Sequence, residues 1–264
     1  MCVCVTFVML SMELRAAEKE VVAVIGTGDM GNSLGPKFAK LGYRIVYGSR
    51  KPASEKVTEL VARTGNGAAA ATQIEAAQVA DIIVLALPWP AMETVAKNLG
   101  QLDGKIIIDI SLPWRQGDDG YPEITLPSSA GELIQDWNPH AKVVKTFATA
   151  GSNLIDDPLY AGGPVTMPLA SDHRDAKETV AKMVTALGFD PVDFGPLRMS
   201  RHIESLQLVW LIPVVQRRAT GWEFYFRRSH WPCEWVLDDW TIPTADAGQL
   251  AEIPEIHAAP EPCP

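Results

Sequence analysis

Cysteine is scarce and badly placed for chemistry. The chain has 4, at positions 2, 4, 233 and 263, and none from 5 to 232. The span carrying every regular pattern below therefore holds neither a disulfide nor a thiol nucleophile. Cys2 and Cys4 find no second pair to complete a zinc set. Cys233 and Cys263 could pair only in an oxidising compartment. Histidine is nearly as sparse. His140, His173, His202, His230 and His257 show no ligand spacing, so no metal site is expected. Positive charge is short as well: 23 Lys and Arg stand against 32 Asp and Glu, for a net charge of −9. That is the wrong sign for a nucleic-acid surface. No apolar run is long enough to cross a bilayer. Residues 1–10 are apolar but short and lack a basic flank, so they read as a leader without structure, with a truncated export signal as the alternative. The expected location is the cytoplasm, export being the other reading.

What is present is the composition of a soluble globular protein, 47% hydrophobic and 21% charged. Short apolar runs alternate with longer amphipathic segments. Residues 21–25 (VVAVI), 43–47, 68–71, 81–87 (DIIVLAL), 105–110 (KIIIDI) and 142–147 read as strands. Most are apolar throughout, as strands covered on both faces are. Residues 30–41, 52–63, 72–78, 90–99 and 128–137 read as intervening helices. Such alternation means βαβ units and a parallel sheet. Pro36 falls inside the first helix and predicts a bend. Past residue 150 the rhythm changes. A loop rich in Gly, Asp and Pro (151–163) precedes a strand at 165–170, a helix at 174–187 and a strand at 190–194. A helical stretch follows at 197–217, interrupted near Pro213. The expected architecture is α/β: a Rossmann-type doubly wound parallel sheet over 20–150 and a second, smaller α/β domain over 151–217. A leader (1–19) precedes them. An extended tail (218–264) follows, pinned by Trp231, Trp235 and Trp240.

The strongest local signal is Gly26-Thr27-Gly28-Asp29-Met30-Gly31, directly after a strand and directly before a helix. In that context a GxGxxG pattern is a dinucleotide fingerprint. Gly26 allows the tight turn, Gly28 lets a pyrophosphate approach the backbone, and Gly31 lets helix and strand pack closely. The helix N-terminus offers free N–H groups to the phosphates. After the second strand stand Ser49, Arg50 and Lys51. An NAD site usually places an acidic residue there; a hydroxyl and two cations suit a 2′-phosphate and predict NADP. Leu87-Pro88-Trp89 and Leu112-Pro113-Trp114 follow later strands, so Leu87, Pro88 and Leu112 are expected beside the nicotinamide. Trp89 and Trp114 would either wall a second planar molecule or pack at an interface.

These residues resemble those of the F420-dependent NADP reductases: VIGTGDMG at 24–31, YGSRK at 47–51, DIIVLALPW at 81–89, KVVKTFATAGSN at 142–153 and FGPLRMSRHIESL at 194–206. The resemblance extends to the reductase domains of six-transmembrane ferric reductases. It implies a two-domain reductase in which NADPH lies across the first domain and a deazaflavin (F420) or flavin occupies the interdomain cleft. It also places Thr27, Gly28, Asp29, Met30, Ser49 and Arg50 on NADP phosphates and ribose, with Leu87 and Leu112 near the nicotinamide. The sequence departs from archaeal members at Ala148, where they carry a histidine. The tail has no counterpart in them.

No catalytic residue is nominated. His202 and Glu204 could act as acid and base only if they faced the cleft, and pairing of Arg201 and Glu204 in structural contacts is the favoured alternative. Arg217, Arg218, Arg227 and Arg228 read as solvated charges. The expected partner is a small redox molecule, with a homodimer left open. The rival functions are an NADPH-dependent reductase of ferric, flavin, C=N or C=O substrates, and a non-catalytic NADP-binding redox sensor.

Overall fold

The computed structural model describes residues 20–159, 162–215 and 223–226. β1 (Val21–Ile25) is buried at every position. Val22 and Val24 face one side, against Leu34 and Phe38; Val21, Ala23 and Ile25 face the other, against Ala76 and Ala77. Successive strand residues point to opposite faces, so a strand covered on both must be apolar throughout. The covers are α1 (Asp29–Lys40) on the first face and, after β2 (Arg44–Gly48), α2 (Glu55–Thr64) and β3 (Ala69–Ala71), helix α3 (Gln73–Val79) on the second. β4 (Ile82–Leu85), α4 (Trp89–Ala96) and β5 (Ile106–Asp109) continue the rhythm. A hairpin of β6 (Trp114–Gln116) and β7 (Pro122–Ile124) intervenes before α5 (Ala130–Trp137) and β8 (Lys142–Lys145). The parallel strands stand in the order β3-β2-β1-β4-β5-β8. This is the doubly wound order expected from the sequence, with its reversal between β1 and β4.

Local chemistry sets several boundaries. Thr72 starts α3 with a reciprocal cap: its hydroxyl accepts from the Glu75 N–H at 3.3 Å, and the Glu75 carboxylate accepts from the Thr72 N–H at 3.0 Å. Ser129 caps α5 by accepting from the Glu132 N–H, which is why that helix starts at Ala130 rather than 128. α1 runs on through Pro36. Proline has no N–H for the carbonyl of Asn32. The guanidinium of Arg63 on α2 donates to that carbonyl instead, at 3.0 Å, and also to the Asn32 side-chain oxygen.

Beyond β8 come α6 (Ser152–Asp156), β9 (Thr166–Leu169), α7 (Arg174–Ala186), β10 (Asp190–Asp193), a 3-10 turn (Leu197–Met199) and α8 (Ser200–Val215). α8 passes through Pro213, where the sequence predicts an interruption. β9 and β10 pair in parallel across α7. Ala170, just past β9, joins Lys145 through two backbone hydrogen bonds of 2.9 and 3.1 Å. One apolar cluster runs from α1 and the sheet through Phe147, Leu154 and Met167 to Val180 and Val184 of α7. Residues 223–226 lie along β9: the Thr166 N–H donates to the Phe224 carbonyl at 3.0 Å, and the Phe226 N–H to the Thr166 hydroxyl at 2.9 Å. The leader, the Cys233–Cys263 pair, the tail tryptophans and the arginines at 217, 218, 227 and 228 lie outside the described residues.

Candidate functional site

Every sequence-predicted site residue lands at the carboxyl ends of neighbouring parallel strands. Gly26 and Thr27 follow β1, Ser49, Arg50 and Lys51 follow β2, Leu87 and Pro88 follow β4, and Leu112 follows β5. Gly28 caps α1, and Asp29, Met30 and Gly31 form its first turn. Ligands bind beyond these ends in open α/β sheets, at the point where strand order reverses.

The three glycines answer to different demands. Gly26 has φ +113, and a Cβ there would sit 2.2 Å from the Ala86 carbonyl oxygen. A Cβ on Gly31 would sit 2.1 Å from the Gly26 carbonyl oxygen and 3.2 Å from Val24. Both are fixed by packing of the turn itself. Gly28 has φ −78, and a Cβ there would meet nothing within 4 Å. The protein's own packing gives no reason for that glycine; the space beside it opens outward. No side chain caps α1, so its first-turn N–H groups face that space.

The remaining groups divide between surface and core. Arg50 and Lys51 are exposed and Ser49 half-buried, its hydroxyl accepting from the Lys51 N–H at 3.1 Å. Leu87 is half-buried and touches the Gly26 turn; Leu112 is buried. Trp89 stacks on Trp137 at 6.0 Å, which makes it packing between α4 and α5. Trp114 lies exposed on the hairpin. His202 is exposed, and Arg201 forks onto Glu132 at 2.7 and 2.8 Å. That fork holds the Glu132 carboxyl below its ordinary range. Arg201 does not pair with Glu204.

Glu204 belongs to a cluster that the sequence reading missed. Lys145 at the end of β8 is fully buried, 3.0 Å from Asp109 at the end of β5 and 3.0 Å from Glu204 on α8. Its third donor reaches the Ser111 carbonyl. Asp109 accepts from the Ser111 N–H at 2.8 Å and hydroxyl at 2.6 Å. Glu204 also accepts from the Ala130 N–H at 2.9 Å. Burial alone would pull the Lys145 ammonium down; the two carboxylates outweigh it and hold its pKa up. The available signal was a charge closing an otherwise apolar strand, in KIIIDI and in KVVK. The next residue but one, Phe147, has φ +55 and is fully buried between Phe38 and Phe189. A bulky side chain stays in that left-handed region only when its surroundings over-determine it.

Ala148 is buried against Ala170 and Ile203. Among the described residues no His, Cys, Asp and Glu group could hold a metal, and no helix is long and apolar enough to cross a membrane.

Residues 21–113 match the family described as NADP oxidoreductase, coenzyme F420-dependent. The F420-dependent NADP reductase of Methanothermobacter thermautotrophicus is 30% identical over 207 residues, covering 73% of this chain and 88% of that protein. Rat metalloreductase STEAP3 is 28% identical over 206 residues, 75% of this chain; the chain spans only 39% of that relative's length. A solved structure of a candidate F420-dependent NADP-reductase from Arthrobacter sp. FB24 superposes with a TM-score of 0.70 at 29% identity. It covers 78% of this chain and 99% of that one. With a matching fold and near-complete coverage of the archaeal relative, the chain belongs to the F420-dependent NADP reductase family.

Proposed function

We propose that this chain binds NADP(H) across the β1–α1 turn and passes hydride between its nicotinamide and a deazaflavin or flavin-like acceptor. The observation that carries the reading is Gly28. Packing demands Gly26 and Gly31 but not Gly28, so its missing side chain answers to something outside the protein. A diphosphate against the uncapped end of α1 fits that space, the N–H groups and the dipole together. The Asp29 side chain is exposed and of the wrong sign for a phosphate, so its contribution comes from its backbone N–H. Ser49, Arg50 and Lys51 supply a hydroxyl and two cations for a 2′-phosphate. Leu87, Pro88 and Leu112 form the wall beside the nicotinamide, keeping water from the transferred hydride.

When bound, the dinucleotide supplies the hydride, and the chain's part is to hold two rings at transfer distance. That division of labour accounts for the absence of a nominated acid or base. Residues 20–150 would hold the nucleotide, and 151–217 would close the acceptor's side.

Gly28→Ala gives the direct test. The added methyl meets no protein atom and the backbone angle is ordinary, so the melting temperature should stay unchanged. NADPH affinity measured by calorimetry should fall at least about tenfold. Unchanged affinity, or a wild-type chain that binds neither NADPH nor NADH, sinks the proposal. Turnover assayed with F420, FMN, FAD and ferric chelates then identifies the acceptor.

A further inference from the structure

Asp109, Lys145 and Glu204 are sealed from water, with side chains 0%, 0% and 1% exposed. Burying three charges is costly, and replacing such a group by packed hydrocarbon often costs nothing or stabilises. What the cluster holds gives it another use. Lys145 spends its three donors on Asp109, Glu204 and the Ser111 carbonyl. Asp109 takes the Ser111 N–H and hydroxyl. Every polar atom of Ser111 is thus fixed from beneath, and the next residue is Leu112. The third member comes from α8, which in the same contact grips the first N–H of α5 through Ala130.

We infer that Asp109, Lys145 and Glu204 form a latch setting the Ser111–Leu112 loop, with Lys145 and Asp109 as positioning residues for hydride transfer. The inference rests on the reading of that loop as the nicotinamide wall.

Charge counting assigns the members different roles. One ammonium cannot neutralise two buried carboxylates, and an isolated buried charge neutralises itself by taking or losing a proton. Both Asp109 oxygens hold donors. Glu204 leaves one oxygen, Oε2, buried without a partner among the described residues. Glu204 is therefore the member that takes up a proton first as pH falls. Burial raises its pKa, repulsion from Asp109 adds to this and Lys145 opposes it, with a net direction upward. Among the described residues no other charge faces it: α5 contributes the Ala130 N–H while Glu132 turns to Arg201, and Arg201 and His202 on its own helix are exposed.

The test combines hydrogen exchange at Ser111–Leu112 in the ligand-free full chain with steady-state kinetics. Lys145→Met and Asp109→Asn should each speed exchange there at least about tenfold. Each should lower kcat about tenfold or more while KM for NADPH moves less than about threefold, because misplacement of the wall harms transfer and not binding. Glu204→Gln keeps the acceptor for Lys145 and Ala130 and matches the protonated carboxyl, so it should disturb both readouts far less than Lys145→Met does. Wild type should lose stability as pH rises through the raised titration of Glu204, since the folded form binds that proton more tightly; Glu204→Gln should lack this loss. Unchanged exchange and kcat in Asp109→Asn and Lys145→Met overturn the latch. So does a Glu204→Gln variant as damaged as Glu204→Leu. Should Lys145→Met fail to fold, the isosteric Asp109→Asn decides. A wild-type chain that binds no NADPH defeats the functional proposal, and the exchange arm then judges the latch alone.

Discussion

The β1–α1 turn and the junction of β5, β8 and α8 lie along one edge of the same sheet and are built on opposite principles. The turn is made of backbone. Its geometry follows from two glycines that leave no room for a Cβ, and it buries no ionised side chain. The junction is made of side chains. It ties the strand ends to α8 through one lysine and two carboxylates sealed in the core. A backbone turn is rigid by sterics and cannot be adjusted by charge. An ion cluster can be reset by one proton or one amide, so the two edges should fail differently when broken.

The largest effect belongs to the turn. Gly31→Ala places a methyl against the Gly26 carbonyl, backbone that cannot step aside. It should abolish measurable NADPH binding and lower thermal stability, both read on one sample by calorimetry. A bound, wild-type-like variant would mean the turn is softer than its contacts imply. Lys145→Ala comes next. It strands Asp109 in the core and should cost about 3–5 kcal/mol in denaturant unfolding. A loss under about 1 kcal/mol would place the cluster in contact with water. Arg50→Ala should weaken NADPH by about 1.5–3 kcal/mol, the value of a charge-assisted contact, and leave NADH nearly unchanged. Equal losses would remove Arg50 from the 2′-phosphate.

A third carboxyl sharpens the contrast, because it is half-buried with no counter-ion among the described residues. Glu223, on the segment beside β9, is pushed up to about 7 by burial alone. Its folded form holds the proton, so its docking is strongest at pH below the ordinary carboxylate range and weakens as pH rises through about 7. Protection of the Thr166 amide, which donates to Phe224, relative to its intrinsic exchange rate should fall over that window in wild type and not in Glu223→Gln. The smallest effect is local: Thr72→Ala removes the α3 cap and should cost about 1 kcal/mol in thermal unfolding, with NADPH binding intact.

The parallel sheet was legible because VVAVI, DIIVLAL and KIIIDI are apolar enough to demand cover on both faces. The glycine turn was legible because its spacing sits between such a strand and a helix. The β6–β7 hairpin was not. Its strands are three residues long and carry Trp-Arg-Gln and Pro-Glu-Ile, too brief for alternation to register. The bend expected at Pro36 did not interrupt α1, because Arg63, remote in sequence, satisfies the released carbonyl. Trp89, open between a ligand wall and packing, was decided by Trp137 stacking on it from α5.

Sequence alone determined the sheet, its order of helices and strands, and the glycine turn between β1 and α1. Those depend on periodicity and on glycine, which act over a few residues. Tertiary structure decided which charges are buried and with whom. Asp109, Lys145 and Glu204 lie far apart along the chain, and their partnership exists only because β5 and β8 pair in register and α8 folds back over their ends. Electrostatic energy depends on distance through space and on exclusion of water, and neither is written in the order of residues.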